Sequence, residues 1–405
     1  MPPKSRKRPA HEVSKAKPKQ SKVVVKAAST ATQEKTELNA APEVYTTIPP
    51  QSKKKRKPGQ LTAKQLRQYF DEGFLVIPNF FATEELDPVR DGIADEVERI
   101  AQMLYDGGKI KDKHEDADLF HRLTLLEKDF SGTSVLLHKS ENLPQAFKDL
   151  WSHERVLNVM EQLLGPEVGG HPGWNLRCKT PYNEMADVPW HQDNAYFDEG
   201  CLHTFVPTVW IPVVNVNEEN GCLQMLRGGH RKGVTGTHTC CAGGTWYVQM
   251  SDEEMEKAFD ADLSKDVVTC DFKYGGLVLF SNCIPHRSLE NHSDIIRWSL
   301  DLRYQRPDRP SGLWGVKECV VLRTKKEKNF KINWEDFEKV DRTKAQEQVS
   351  HSSQVKLVIA RRVEAVDDFD TTLTGPWMHR WDVVNHNKHT ANIKPSDANT
   401  FTHKA

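Results

Sequence analysis

The chain contains no run of about 18 consecutive apolar residues, so no membrane-crossing helix is expected. No apolar stretch follows the first methionine, which argues against a secretory leader. The eight cysteines (Cys178, Cys201, Cys222, Cys240, Cys241, Cys270, Cys283 and Cys319) form no C-x-x-C pair and no compact disulfide framework, so they read as reduced thiols in a reducing compartment. The last residues, Thr402-His403-Lys404-Ala405, are not the usual peroxisomal tripeptide. No internal repeat is visible. Together these absences exclude a membrane span and a disulfide-stapled scaffold. The expected location is intracellular, cytoplasmic or nuclear, with an organelle reached by a receptor-read address as the alternative.

What is present is unevenly spread. Of 405 residues, 37% are hydrophobic and 28% charged, enough for a sizeable core with extra polar sequence somewhere. Residues 1–59 hold fifteen Lys and Arg against four Glu, a balance of +11; with a total of −1, the rest of the chain stands at −12. Residues 1–60, rich in Lys, Pro, Ser, Thr and Ala, bury too little apolar surface to offset ordering entropy and are expected to be a disordered tail. Its clusters, Lys4–Arg8 and Lys53–Lys57, fit a nuclear import receptor or simply a solvated basic arm. Nucleic-acid contact by the acidic folded part is not expected.

Order begins at Thr62, a helix N-cap with Gln65 at the capping-box position; Leu66, Tyr69 and Phe70 follow at helical spacing, and Gly73 ends the helix. Phe74–Ile77 reads as a short buried strand. Helical patterns recur over 84–103 and 145–164. From about 170, short strands alternate with Gly, Pro and Asn turns: 208–214, 222–226, 277–280 and 295–304. Asn220-Gly221 predicts a hairpin between the first two. A charged helical stretch follows near 335–348. Many short strands without intervening helices point to a sandwich or barrel. The expected organisation is α+β, with the tail at 1–60, one catalytic domain over 61–385 and a C-terminal tail at 386–405.

Pro189-Trp190-His191-Gln192-Asp193 is the sharpest local feature. In a strand, residues two apart share a face, so His191 and Asp193 could reach one ion. An imidazole, a carboxylate and a further His make the facial triad that suits iron(II) and leaves open positions. His286, after the apolar strand 277–280, is the best third ligand. His203, His230, His238 and His292 read as loop or surface histidines. Cys283 and His286 have the spacing of half a zinc site, but no second pair exists.

A dicarboxylate co-substrate needs a cation, and Arg binds a carboxylate through two hydrogen bonds. Along 295–304 one face is Ile296, Trp298, Leu300, Leu302 and Tyr304, and the other is Arg297, Ser299, Asp301 and Arg303. The polar face meets either solvent or a polar cavity. Arg297 and Arg303 lie six residues apart, roughly 20 Å in a strand, too far for both to grip one small acid. Arg297, nearer to His286, is favoured.

The run Pro189–Phe197 resembles the phytanoyl-CoA dioxygenase family, as do Trp210-Ile211-Pro212, Val216–Leu223, His286-Arg287-Ser288 and Arg297 eleven residues after that histidine. The resemblance covers most of 61–305 and implies a double-stranded β-helix (jelly-roll, cupin-like) core with flanking helices. It implies that His191, Asp193 and His286 bind iron(II). It further implies that Arg297, helped by Ser288, holds 2-oxoglutarate, and that Trp210 lines the co-substrate pocket. An upstream lysine used by some members matches Lys139. The family's Pro-Gly-Ser-His turn appears here as Arg227-Gly228-Gly229-His230. A carboxylate at Asp193, which related halogenases replace, implies oxygenation rather than halogenation.

The expected activity is therefore hydroxylation of a C–H bond in a small-molecule or acyl substrate, using O₂ and 2-oxoglutarate and releasing succinate and CO₂, with ascorbate as a candidate reductant. Trp190, Tyr196, Phe197 and Trp298 are expected to pack around the site. Two other readings are a nuclear protein hydroxylase and a ligand-binding barrel without catalysis; the intact triad beside Arg297 disfavours the latter. The sequence names neither the substrate nor the oligomeric state.

Overall fold

A computed structural model describes residues 41–50, 55–198, 201, 204–316, 319–327, 330–342, 345–346, 367–391 and 393. All lie within the compact unit Glu37–Ala405. The first element, α1 (Glu43–Thr46), buries Tyr45 beside Cys283 and Phe205. This stretch of the expected tail is thus packed, because one aromatic ring in it has an apolar niche. Lys57 pairs with Glu161 at 2.7 Å. The cluster Lys4–Arg8 lies outside the described residues.

Thr62 caps α2 (Ala63–Glu72): its hydroxyl accepts from the Gln65 N–H, and the Gln65 side chain accepts from the Thr62 N–H. Gly73, at φ +87°, ends the helix and releases the chain into β1 (Phe74–Ile77). Five helices follow: α3 (Asp87–Asp106), α4 (Arg122–Asp129), α5 (Thr133–Lys139), α6 (Gln145–Trp151) and α7 (Glu154–Leu164). The single helical pattern over 145–164 is two helices, because His153 is extended between them.

The strands are β2 (Val168–Gly170), β3 (Asn175–Lys179), β4 (Pro207–Pro212), β5 (Leu223–Leu226), β6 (Thr239–Cys240), β7 (Val248–Gln249), β8 (Val267–Cys270), β9 (Leu277–Ser281), β10 (His286–Ser288), β11 (Arg297–Gln305), β12 (Val320–Arg323) and β13 (Asp382–Val383). Helices α8 (Asp252–Phe259) and α9 (Leu263–Asp266) lie between β7 and β8, and α10 (Trp334–Glu338) follows β12. The helix expected near 335–348 is broken after α10: Arg342, Ala345 and Gln346 are again helical, and residues 343, 344, 347 and 348 lie outside the described set.

The larger sheet has seven strands in the order β1-β9-β4-β11-β2-β12, with β3 also on β11. The smaller sheet is β10-β5-β8, and a third is β13-β6-β7. All pairings are antiparallel except β13 with β6. Period-two alternation gives the large sheet two buried faces. Leu176, Val209, Ile211, Leu277, Leu279, Trp298, Leu300 and Leu302 share one core with α2, α3, α6 and α7. Trp210, Val278 and Phe280 instead pack with Leu223, Met225 and Cys270 of the smaller sheet. The polar face of β11 is therefore interior, not solvated: all nine of its residues are buried.

Two expectations about connection and chemistry are corrected. Asn220-Gly221 does not close a hairpin: β4 pairs with β9 and β11, and β5 with β8 and β10. The turn carries the chain from one sheet to the other. Asn217 and Asn220 exchange side-chain to backbone hydrogen bonds, and Gly221 sits at φ +80°. Nor are all cysteines free, since Cys240 and Cys241 are joined as a disulfide. Beyond the expected boundary at 385, His389 and Thr390 are buried and Asn387 bonds to the carbonyls of Gly243 and Thr245. No described helix is long and apolar enough to cross a membrane.

Candidate metal centre

Backbone pairing brings together two histidines that are 95 residues apart. The His191 N–H donates to the His286 carbonyl at 3.0 Å and the His286 N–H to the His191 carbonyl at 2.9 Å, a single antiparallel bridge. This adds the His191 segment beside β10, at whose first residue His286 stands. The H-x-D segment is not a full strand: Gln192 is extended, but Asp193 opens a 3₁₀ turn, Asp193–Tyr196. One extended residue is enough to turn both side chains inward.

The His191 and His286 rings lie 4.2 Å apart between centroids. Asp193 Oδ1 is 3.8 Å from His191 Nε2 and 4.0 Å from His286 Nε2. The ligand atoms of all three lie within 4.8 Å of one another, the only such His/Cys/Asp/Glu group among the described residues. Each Nδ1 faces a carbonyl, Pro189 O at 2.8 Å and Ile284 O at 3.0 Å. A carbonyl only accepts, so Nδ1 carries the hydrogen and the Nε2 lone pair is left for an ion. Burial holds both imidazoles below their usual range, hence neutral. Burial pushes the Asp193 carboxyl up, but Arg303 and then His286 overcome it and hold it well below the carboxylate range. Two neutral imidazoles and one carboxylate are the donor set that suits iron(II).

Sequence reasoning missed Arg303 here. Its Nε donates to Asp193 Oδ2 at 2.9 Å and its Nη2 to Oδ1 at 3.0 Å. Asp301 Oδ2 stands 3.8 Å from Arg303 Nη2 and accepts from Arg177 Nε at 2.9 Å. The inner face of β11 thus runs from Arg297 to the Asp193 carboxylate. The shared face with Arg297 was the available signal.

A cleft partly open to solvent joins these groups. Arg297, Ser288, Trp210 and both histidines line it. Arg297 Nη1 and Trp210 Nε1 both donate to Ser299 Oγ, at 2.7 and 2.9 Å, and the guanidinium lies 5.2 Å over the Trp210 ring. Arg297 Nε is buried without a protein acceptor, an orphan donor that a carboxylate would satisfy. Burial lowers this group to about 10, still cationic at neutral pH. Ser288 Oγ accepts from the Val188 N–H at 3.3 Å.

Lys139 lies elsewhere. Its Nζ donates to the carbonyl and carboxylate of Asp370, at 2.8 and 3.2 Å, and it does not line the cleft. Lys179 does line it, directly opposite Arg297 across β3 and β11, with Nζ 2.6 Å from Asp187. Two histidines read as loop or surface groups are buried: His230 donates to Phe70 O, and His238 Nε2 accepts from the Gln192 N–H at 3.1 Å. His292 is exposed and His203 lies outside the described residues. Burial pushes the Cys283 thiol up to about 12, which disfavours a zinc thiolate. Of the four aromatics expected around the site, Tyr196 packs on His191 at 5.5 Å. Trp298 faces the helices and donates to Leu119 O.

A phytanoyl-CoA dioxygenase domain homolog of Dictyostelium discoideum is 24% identical over 271 residues, covering 62% of this chain and 92% of the relative. A probable alpha-ketoglutarate-dependent hypophosphite dioxygenase of Stutzerimonas stutzeri is 27% identical over 261 residues, covering 64% and 82%. Among solved structures, EctD from S. alaskensis in its apoform superimposes with a TM-score of 0.48 at 17% identity, covering 68% of this chain and 88% of that one. The family model described as phytanoyl-CoA dioxygenase matches residues 69–299. That match spans more than half of the sequence, and the chain belongs to the phytanoyl-CoA dioxygenase family.

Proposed function

We propose that this iron(II)- and 2-oxoglutarate-dependent dioxygenase hydroxylates a C–H bond of a small molecule that enters the cleft, and that His191, Asp193 and His286 hold the iron. The observation that carries the reading is the buried His-Asp-His cluster in one cleft with Arg297, whose Nε has no protein acceptor. The strand orders of the larger and smaller sheets, with a shared apolar core, support a double-stranded β-helix. Iron(II), when bound, supplies the redox chemistry that couples decarboxylation of 2-oxoglutarate to oxygen insertion; one oxygen of O₂ goes to succinate and the other to the substrate.

The chain's own groups do the rest. Arg297, a buried cation stacked on Trp210 and fixed by Ser299, anchors the distal carboxylate of 2-oxoglutarate with Ser288 beside it. Lys179, across the strand pair, takes the place expected for Lys139 and adds a second positive charge. Arg303 occupies both oxygens of Asp193, which fixes the carboxylate's orientation toward the two Nε2 atoms. The small-molecule reading is supported by the partly enclosed cleft in which His191, His286 and Arg297 meet. The basic cluster Lys53–Lys57 and the outlying Lys4–Arg8 are compatible with recognition by a nuclear import receptor.

The test is anaerobic addition of iron(II) and 2-oxoglutarate, followed by O₂, ascorbate and candidate substrates, with succinate measured. A metal-to-ligand absorption band and substrate-stimulated succinate are expected for the wild type, and neither for Asp193→Ala. A band of equal strength in Asp193→Ala would overturn the ligand assignment.

A further inference from the structure

The turn that carries Asp193 satisfies only part of its own carbonyls. A 3₁₀ segment of four residues closes at most one or two backbone hydrogen bonds. Here the Ala195 N–H donates to Gln192 O and the Phe197 N–H to Asn194 O. The carbonyls of residues 194 to 197 each accept a side-chain donor. Arg380 Nη1 donates to Asn194 O at 2.7 Å and to Phe197 O at 2.5 Å. Trp381 Nε1 donates to Ala195 O at 2.9 Å, and Trp314 Nε1 to Tyr196 O at 2.7 Å. All three donors lie beyond residue 299, where the family match ends.

The same C-terminal segment reaches the metal ligands by two further routes. The Trp381 ring lies 5.0 Å from His238, whose Nε2 accepts the N–H of Gln192, the residue between the two ligands. Trp377 packs at 5.9 Å on Tyr196, which itself packs on His191, and its Nε1 donates to Trp246 O in the cleft wall. The parallel pairing of β13 with β6 fixes the segment in register.

We propose that Trp314, Arg380 and Trp381 are positioning residues that clamp the Asp193 turn, so that the C-terminal segment is a working part of the metal site. None of them touches the reacting atoms; they act through the backbone of residues 194 to 197. The inference rests on Asp193 being an iron ligand. Because binding and conformation are reciprocally linked, an ion held by the clamped turn must in turn steady the clamp.

The experiment titrates the full-length wild type, Trp381→Phe, Arg380→Gln, Arg380→Lys and Asp193→Ala with cobalt(II), followed by visible absorption well below each protein's thermal midpoint. Trp381→Phe removes the N–H donor and the five-membered half of the indole but keeps an aromatic ring at the position. It and Arg380→Gln are expected to weaken cobalt(II) binding roughly tenfold or more, with Arg380→Lys recovering part of the loss. Hydrogen exchange over residues 376–383 of the wild type is expected to slow when cobalt(II) is added. A change in thermal midpoint alone, with wild-type affinity and spectrum, would mean a structural role only and overturn the clamp. So would unchanged exchange over 376–383. Should Arg380→Gln fail to fold, Trp381→Phe and the wild-type exchange decide. Equal cobalt(II) binding by wild type and Asp193→Ala would instead refute the ligand assignment, a separate failure.

Discussion

At Arg297 the guanidinium is buried, stacked on Trp210, and short of one acceptor. A charge-assisted hydrogen bond contributes about 1.5–3 kcal/mol, so Arg297→Met should raise the KM for 2-oxoglutarate roughly 100-fold with kcat at saturation far less affected. Lys139→Met, which breaks only the contact with Asp370, should stay within about twofold in the same succinate assay. Lys179 gives a pH signature. Burial, and then Arg297, lower its ammonium to about 8, against the pull of Asp187. Burial pushes Asp187 up as well, so both partners lean toward their neutral forms. As pH rises through about 8 the folded protein loses this charge, while the unfolded chain keeps it up to the ordinary lysine range. Folding therefore gains slightly over that window, and the cleft loses a cation. The KM for 2-oxoglutarate should rise about threefold to tenfold between pH 7 and 9, and Lys179→Met should show no such rise. The spacing of His191 and Asp193 was legible because one extended residue suffices to align them. Arg303 was not assigned, because a distance along a strand says nothing about which opposing segment delivers a carboxylate to it.

Among the elements, the crossing at Asn220-Gly221 is the most exposed to a single change. Gly221 stands at φ +80°, and an added Cβ would run into the Leu289 backbone carbonyl and into Lys179 Cδ, which would have to move aside. Gly221→Ala should lower stability by about 1–3 kcal/mol, seen as a lower denaturant midpoint with unchanged slope, and should weaken 2-oxoglutarate binding through displaced Lys179. The dipeptide correctly marked a turn. It could not say whether the strands on either side pair with each other, because that depends on partners such as β9 and β10, 60 or so residues further on. The strand pattern of 295–304 was likewise read to its alternation. Its two meanings separate only once α3, α6 and α7 cover one face and the small sheet covers the other.

For the molecule as a whole, the acid side of its stability follows from histidines far from any exposed surface. Burial lowers His171 and His230 to about 4 and His238 to about 3. Between those values and the ordinary histidine range near 6.5, the unfolded chain takes up protons that the folded protein refuses, so stability falls as pH falls across that window. Each such group contributes up to about 1.4 kcal/mol per pH unit. Urea midpoints should drop steeply from pH 6.5 to 4, and His238→Asn should flatten the slope. The charge pattern marked a basic tail, but the packing of Tyr45 and of Met378, His389 and Thr390 was not legible, since a few buried side chains leave no compositional trace. The bidentate grip of Arg303 on Asp193 has one more outcome. It gives a buried anion a permanent counter-charge, independent of whatever else arrives there. Treatment with a chelator should therefore yield a folded protein that regains activity on reconstitution, not one that unravels when its ion is withdrawn.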